Sequence, residues 1–382
     1  MRLPLVVWIV SDGKPGHLNQ SRGLAEALAR ATPAEIVTLP ALPAWRAWLA
    51  LLLKTMPNPF PFVIASEKTQ SRALANPATS GSPQPFGPRD DGINQRSREF
   101  ALDNPLPKPD LIVGAGHATH WTLLAARRAC GGKTVVLMKP SLPRRWFDLC
   151  VLPRHDDVAA DAHTLVTEGA LNRIRPAATH DSSLGLILIG GASKHFEWDS
   201  DAIQVQIKSI LARTPDTQWT LTTSRRTPAD FLALLPQYPN LSIVPHTATS
   251  PDWLPAQFAR CGTVWVSPDS ASMVFEALTA GATVGVFDLP VNPKSRVGRA
   301  IAHLADARRI TRFANWCAHG TLHPNLHPLA EADRCADWIL GAYFNKNTLA
   351  VVTPAKAGVQ PTKLDSGLRR NDDTSNFNKP NE

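Results

Sequence analysis

Four short stretches carry residues whose types and spacing can do chemistry, and each follows a run of apolar residues. The first is Ser11-Asp12-Gly13-Lys14-Pro15-Gly16-His17, between "VVWIV" and the helical pattern "LNQSRGLAEALARA". A histidine that titrates near neutrality can act as a general base, and Asp12 can either orient it or act itself. Gly13 and Gly16 let the backbone turn closely around a ligand, with Lys14 adding a charge suited to phosphate. A turn whose glycines merely relax the backbone is the competing reading. The string matches neither the phosphate loop of nucleotide hydrolases nor the dinucleotide fingerprint.

The second stretch, "LIGGASKHFEWDSD", puts Gly190 and Gly191 at a strand end, where adjacent amides can approach a phosphate, with Lys194 close behind; Asp199 or Ser200 is placed to cap the following helix. The third, "LTTSRRTPAD", offers Arg225 and Arg226, a pair suited to a diphosphate, and Thr227-Pro228 reads as a helix start. The fourth is "VWVSPDSASMVFEALTAGATVGVFDLP". Here Ser270 and Ser272 open a helix, Glu276 lies one turn on, and Asp269 precedes them, so these polar groups can share one face. A carboxylate so placed can accept ribose hydroxyls while the helix start receives phosphate. In "GAGHATHW", His117 and His120 follow another strand and are either acceptor contacts or polar groups of a helix start. His319, His323 and His327 recur every four residues, but Pro324 and Pro328 break that helix, so no metal site is expected, and no cofactor.

These stretches need a scaffold that brings strand ends together. The chain has 382 residues, 43% of them hydrophobic, which suits two domains better than one. Residues 5 to 65 alternate strand and helix, and "DLIVGAG", "KTVVLMK" and "DLCVLP" are short apolar runs of the kind buried on both faces of a parallel sheet. A second alternating set opens at "LGLILIGG". The expected architecture is α/β: an N-terminal domain over 1–160, a C-terminal domain over 180–330 and a last helix over 331–344. Residues 66–105 and 345–382, rich in Pro, Gly, Asn and charge without core periodicity, are expected to be a disordered insertion and a disordered tail. The end of that tail, "PAKAGVQ" to "LDSGLRRNDD", resembles the translation of a dispersed bacterial repeat.

The 5 cysteines, odd in number and without CxxC spacing, argue against a disulfide framework or zinc knuckle and fit a reducing cytoplasm. "MRLPLVVWIV" reads as a buried strand rather than a leader, since no small-residue cleavage site follows it. A formal charge of +8 suits anionic ligands; without a basic helix or RNA-reading strand, nucleic acid is not an expected partner. In "ALPAWRAWLALLLKTMPNPFPF", residues 41–62, tryptophans and leucines flanked by Arg46 and Lys54 form the pattern of an interfacial helix on an anionic membrane surface. A core-packing helix is the alternative.

"SDGKPGHLNQSRGLAEAL", "DLIVGAG", "VVLMKPSLPRRWFDLCVLPRHD", "TEGALNRI", "IGGASKHFEWD", "TTSRRTP" and "DSASMVFEALTAGATVGVFDLP" together resemble the mitochondrial-fission "elongated mitochondria" family, whose bacterial members form a domain of unknown function. The resemblance spans residue 1 to about 343 outside the insertion. It implies a GT-B glycosyltransferase-like fold, two Rossmann-like domains facing a cleft, with acceptor on the first and nucleotide-sugar donor on the second. By that resemblance His17 corresponds to the histidine of the first glycine-rich loop and Glu276 to the ribose-binding glutamate, although Lys14-Pro15 stands where the related enzymes have a run of glycines. The implied activity is metal-independent glycosyl transfer from a nucleotide sugar, in the cytoplasm or peripherally at the inner membrane. Two alternatives stand beside it: a scaffold that recruits a partner, as plant relatives are thought to recruit a dynamin-like GTPase, and a nucleotide-sugar epimerase.

Overall fold

The computed structural model describes residues 3–54, 65–69, 106–159, 161–233, 235 and 237–344. The first sheet holds β1 (Leu5–Ser11), β2 (Ala34–Pro40), β3 (Ala65–Thr69), β4 (Leu111–Ala115), β5 (Lys133–Leu137), β6 (Leu149–Pro153) and β7 (Thr164–Thr167), in the order β3-β2-β1-β4-β5-β6-β7. All pairs are parallel except β2 with β3.

The apolar runs are continuous because the sheet is covered on both faces. Side chains alternate across a strand, so Val7 and Ile9 of β1 join a core with α1 (Pro15–Ala31), while Trp8 and Val10 join a second core with α2 (Ala44–Leu53) and α3 (His120–Cys130). Leu24 and Leu28 of α1 are fully buried on the first of these faces.

The second sheet is made of β8 (Asp181–Leu188), β9 (Gln218–Thr222), β10 (Leu241–Val244), β11 (Cys261–Val266), β12 (Thr283–Val286) and β13 (Thr311–Arg312), all parallel, in the order β10-β9-β8-β11-β12-β13. Its helices are α4 (Ser200–Arg213), α5 (Trp253–Phe258), α6 (Ala271–Ala280), α7 (Arg296–Asp306) and α8 (Phe313–His319). Asp199 caps α4, accepting from the Ala202 amide at 2.9 Å, and Gly281 ends α6 in the left-handed conformation. The last helix, α9 (Glu331–Ile339), returns to the first unit, where Cys335, Ala336 and Ile339 pack with Val7, Ile9 and Leu28.

Both sheets thus reverse direction between their first and fourth strands in chain order, β1 beside β4 and β8 beside β11. In open parallel sheets such a reversal opens a crevice at the strands' carboxyl ends. The two carboxyl edges face one another. Past β6, His155 stacks on Phe275 of α6 at 6.2 Å and Asp156 accepts from Arg296 of α7 at 2.9 Å. Asp157 accepts from Arg299 at 2.8 Å.

Three local expectations are corrected. The first sheet runs past residue 160, since β7 pairs with β6. Residues 66–69 are not outside the fold: with Ala65 they form the antiparallel edge strand β3, because pairing through the backbone of an open edge needs no apolar pattern. Residues 225–233 form successive turns rather than a helix starting at Thr227-Pro228. The Thr227 hydroxyl donates to the Ile189 carbonyl at 3.0 Å, which ties this segment to β8's end instead of to a helix start. The expectations for 70–105 and 345–382 lie outside the described residues.

Candidate functional site

At the reversal of the first sheet, the loop after β1 meets the loop after β4. Gly13 takes a left-handed φ of +80°, which a glycine adopts without strain, and Pro15 opens α1 with its preset φ. This folds His17 back over the strand end, and its Nδ1 lies 2.9 Å from Asp12 Oδ2. The Asp12 carboxylate is almost fully buried, whereas Lys14, 3.9 Å from it, is open to solvent. Gly116, also at positive φ, sits under the His17 ring, and a Cβ there would overlap the imidazole. His117 is exposed at the start of the next turn, beside the cleft. His120 is not an acceptor contact: it is buried against Phe147, its Nδ1 3.2 Å from Ser141 Oγ, and burial and then nearby His117 push it down to about 4.

The second sheet's reversal is built differently. Gly190 and Gly191 end β8, but their amides already have partners: Gly190 N–H donates to Ser267 Oγ at 2.7 Å and Gly191 N–H to Asp269 Oδ2 at 3.0 Å. Asp269 therefore does not share a face with Ser272 and Glu276; it turns beneath the glycine loop, where Arg226 pairs with it at 2.8 Å. Burial raises the Asp269 carboxyl above its usual range, against the opposing pull of Ser267, the Gly191 amide and Arg226. The glycine amides and Arg226, expected on a diphosphate, are thus engaged within the protein. The reason is register: β8 and β11 are neighbours, so the loop after one packs on the loop after the other. Lys194 and Arg225 are exposed at the same edge, Ser270 caps α6 without a side-chain bond, and Ser272 is exposed on its first turn.

A further contact joins the two units. Glu276 Oε1 accepts from Asn19 Nδ2 at 3.0 Å, across 257 residues of chain. Burial pushes the Glu276 carboxyl up to about 7, with the Asn19 amide pulling the other way. Asn19 stands two residues past His17 on α1, so the helix that begins with the histidine also carries the partner of the α6 glutamate. Sequence reasoning misses Asn19, because nothing in "HLNQ" signals a partner so distant. Gly116 is legible in principle, as a glycine closing an apolar strand.

A protein-family model described as "Mitochondrial fission ELM1" matches residues 15–343. The chain belongs to the mitochondrial fission ELM1 family. Among solved structures, this ELM1-family chain is similar to a Listeria monocytogenes protein provisionally described as a UDP-N-acetylglucosamine 2-epimerase, at 13% identity and a TM-score of 0.51, covering 89% of this chain and 96% of that one. It is also similar to Acinetobacter baumannii MurG, at 15% identity, a TM-score of 0.44 and coverage of 88% and 99%, and to the calicheamicin glycosyltransferase CalG4, at 12%, 0.42, and 90% and 100%. Likeness at this identity concerns the fold, which is GT-B-like: two parallel α/β sheets facing a cleft. No match was found to a curated protein sequence.

Proposed function

We propose that this ELM1-family protein transfers a glycosyl group from a nucleotide-sugar donor to an acceptor hydroxyl in the cleft between the sheets. The observation that carries the reading is the placement of Asp12–His17 at the start of α1 and of Glu276 on α6, the two helices being joined by the Asn19–Glu276 hydrogen bond. With Nδ1–H donated to Asp12, the imidazole presents Nε2 as proton acceptor, so His17 is the base and Asp12 the group that holds its tautomer and orientation. His17 takes the acceptor's hydroxyl proton as that oxygen bonds to the sugar's anomeric carbon. The bond from that carbon to phosphate breaks, and the nucleoside diphosphate leaves.

Negative charge then grows on the leaving diphosphate. Lys194, Arg225 and Lys14 border its place with the start of α6, where Ser270 and Ser272 supply hydroxyls, and such fixed donors act most strongly on charge that develops during reaction. Gly190, Gly191 and Arg226 shape this pocket from behind. Glu276 accepts the ribose hydroxyls once Asn19 yields. Gly13 and Gly16 keep the loop low enough for the acceptor to reach His17, and His117 lines the acceptor side.

The test is thermal unfolding against nucleoside diphosphates and nucleotide sugars. A ligand at about 100 times its Kd adds about 2.7 kcal/mol. Glu276→Ala removes the shift, whereas His17→Ala keeps it and loses transfer. No shift with any donor overturns the reading. Isomerised sugar without an acceptor product would assign epimerisation instead.

A second reading, a scaffold that recruits a partner, is favoured by one observation: Asp269 already fills the place beneath the glycine loop. It expects Glu276→Ala and Arg225→Ala to leave cellular function intact.

A further inference from the structure

Helix α2 is built inside out. Trp45, Trp48, Leu49, Leu52 and Leu53 recur at the i, i+3, i+4, i+7 and i+8 spacing that normally faces a core. Here that stripe faces solvent, with Trp45 66%, Leu53 61% and Trp48 50% exposed. The inward face is made of Ala47 and Ala50, both buried, with Leu51 partly covered. Small residues on that side let α2 lie close on α3 and leave no room to bury the large ones. Of the large hydrophobic side chains exposed among the described residues, the rest are scattered, with Leu326 and Val291 in the second unit. Single exposed apolar residues are ordinary; a contiguous stripe on one helix marks a docking face.

We propose that α2 docks the first unit onto an anionic lipid surface. The charge on the helix chooses that occupant. From Ile36 to Lys54 the chain carries Arg46 and Lys54 and no acidic residue. The Arg46 guanidinium lies 5.3 Å from the Trp45 ring centre, and Lys54 closes the helix in the left-handed conformation, so a cation stands toward each end of the apolar stripe. Tryptophan and arginine at the rim of an apolar face are placed for the level of lipid headgroups, and leucines for the acyl boundary beneath. A second copy of the chain fits less well. A helix of ten residues is about 15 Å long, and the face it offers falls well short of the roughly 800 Å² per partner of a stable interface.

The helix starts from the edge of the sheet that bears the cleft: the Ala41 amide donates to the Ser11 carbonyl at 2.7 Å and the Leu42 amide to Thr122 Oγ1 at 2.9 Å. A bilayer under α2 therefore lies beside the strand end that carries Asp12. The docking holds whether or not the cleft transfers sugar, and its test uses no sugar.

The full chain is sedimented with phosphatidylcholine vesicles with and without phosphatidylglycerol, at low and high salt. Binding is expected to the phosphatidylglycerol vesicles at low salt and to weaken as salt screens the cations. Exchanging Trp45 and Trp48 for Ser lowers the affinity by about tenfold or more. Exchanging Arg46 and Lys54 for Gln lowers it about fivefold per cation at low salt and little at high salt. Leu326→Ser, an equally exposed change in the second unit, leaves it unchanged. All these side chains are exposed, and an unaltered unfolding midpoint confirms that each variant folds. Equal recovery in the supernatant with and without phosphatidylglycerol at low salt overturns the proposal. So does an equal loss with Leu326→Ser, or a dimer in sedimentation equilibrium that dissolves with the Trp45 and Trp48 changes while vesicles stay unbound.

Discussion

The turns after β1 and β8 hold equivalent places in their sheets, each at the reversal of strand order and each with two glycines, Gly13 in the loop and Gly16 in the first turn of α1 in one case and Gly190 and Gly191 in the other, yet they are built differently. Around Gly13 and Gly16 there is open space, and the polar groups Lys14 and His17 stand toward the cleft. Around Gly190 and Gly191 there is none: a Cβ on the first would overlap the Asp269 carboxylate, and on the second the Arg226 carbonyl. Glycine in the first loop serves backbone conformation and access, whereas glycine in the second serves close packing. The two turns therefore differ in build, the first leaving its polar groups open toward the cleft and the second packing its glycines against neighbouring loops.

If the contrast is right, His17→Ala strikes turnover far harder than stability. Loss of a general base lowers turnover about 10²–10⁴-fold, while the unfolding free energy falls by about 1–2 kcal/mol, because the ring is only 20% exposed and its removal takes the imidazole partner from the buried Asp12 carboxylate. Paired measurement of turnover and denaturant unfolding checks this, and a large stability loss would erase the contrast. Gly191→Ala is expected to do the reverse, costing about 3 kcal/mol of stability through backbone overlap. Denaturant unfolding reads it directly.

The Asn19–Glu276 contact sharpens the comparison because it ties the open loop's helix to the second unit. The Glu276 pKa, raised to about 7, lies above that of a carboxyl in the unfolded chain, so the folded state binds its proton more tightly. Its stabilising contribution is complete below the unfolded value and is lost as pH rises toward 7. Glu276→Gln, which keeps an oxygen to accept from Asn19, should flatten this slope and raise stability at pH 8 by about 2 kcal/mol, partial contact with solvent holding the gain below that of the full shift. Unfolding at pH 5 and pH 8 decides it; an unchanged slope would mean that Glu276 is ionised throughout.

The smallest effects belong to the open loop's glycines. Gly13→Ala costs about 1 kcal/mol, for its positive φ alone. Gly16→Ala, inside α1 with nothing near, is neutral or adds about 0.5 kcal/mol. Equal costs at positions 13, 16 and 191 would abolish the distinction between the loops.

Much of the fold is legible in the sequence. The apolar runs, their length and their alternation with helical patterns specify a pair of parallel α/β sheets, and Asp12 and His17 lie at the end of one of the marked strands, with Glu276 on the helix that follows another. Residues a few positions apart set these features, through backbone preference and the period at which side chains change face.

Beyond that range, packing between distant segments takes over. Thr227 has the local setting of a helix cap because Pro follows it, but its hydroxyl finds the Ile189 carbonyl beyond the neighbouring strand β8 instead. Helical spacing groups Asp269 with Ser272, yet the adjacency of β8 and β11 sets it beneath Gly190 and Gly191. Residues 66–69 lack any apolar pattern and still form an edge strand, since β2 offers an unpaired backbone. Local spacing thus marks candidate residues and the strand ends near which they stand. Which amides stay open for a ligand, and that Asn19 meets Glu276, follow only from the folded arrangement. Partners of buried polar groups are chosen by which loops the sheet order brings together, and that order is written in no local spacing.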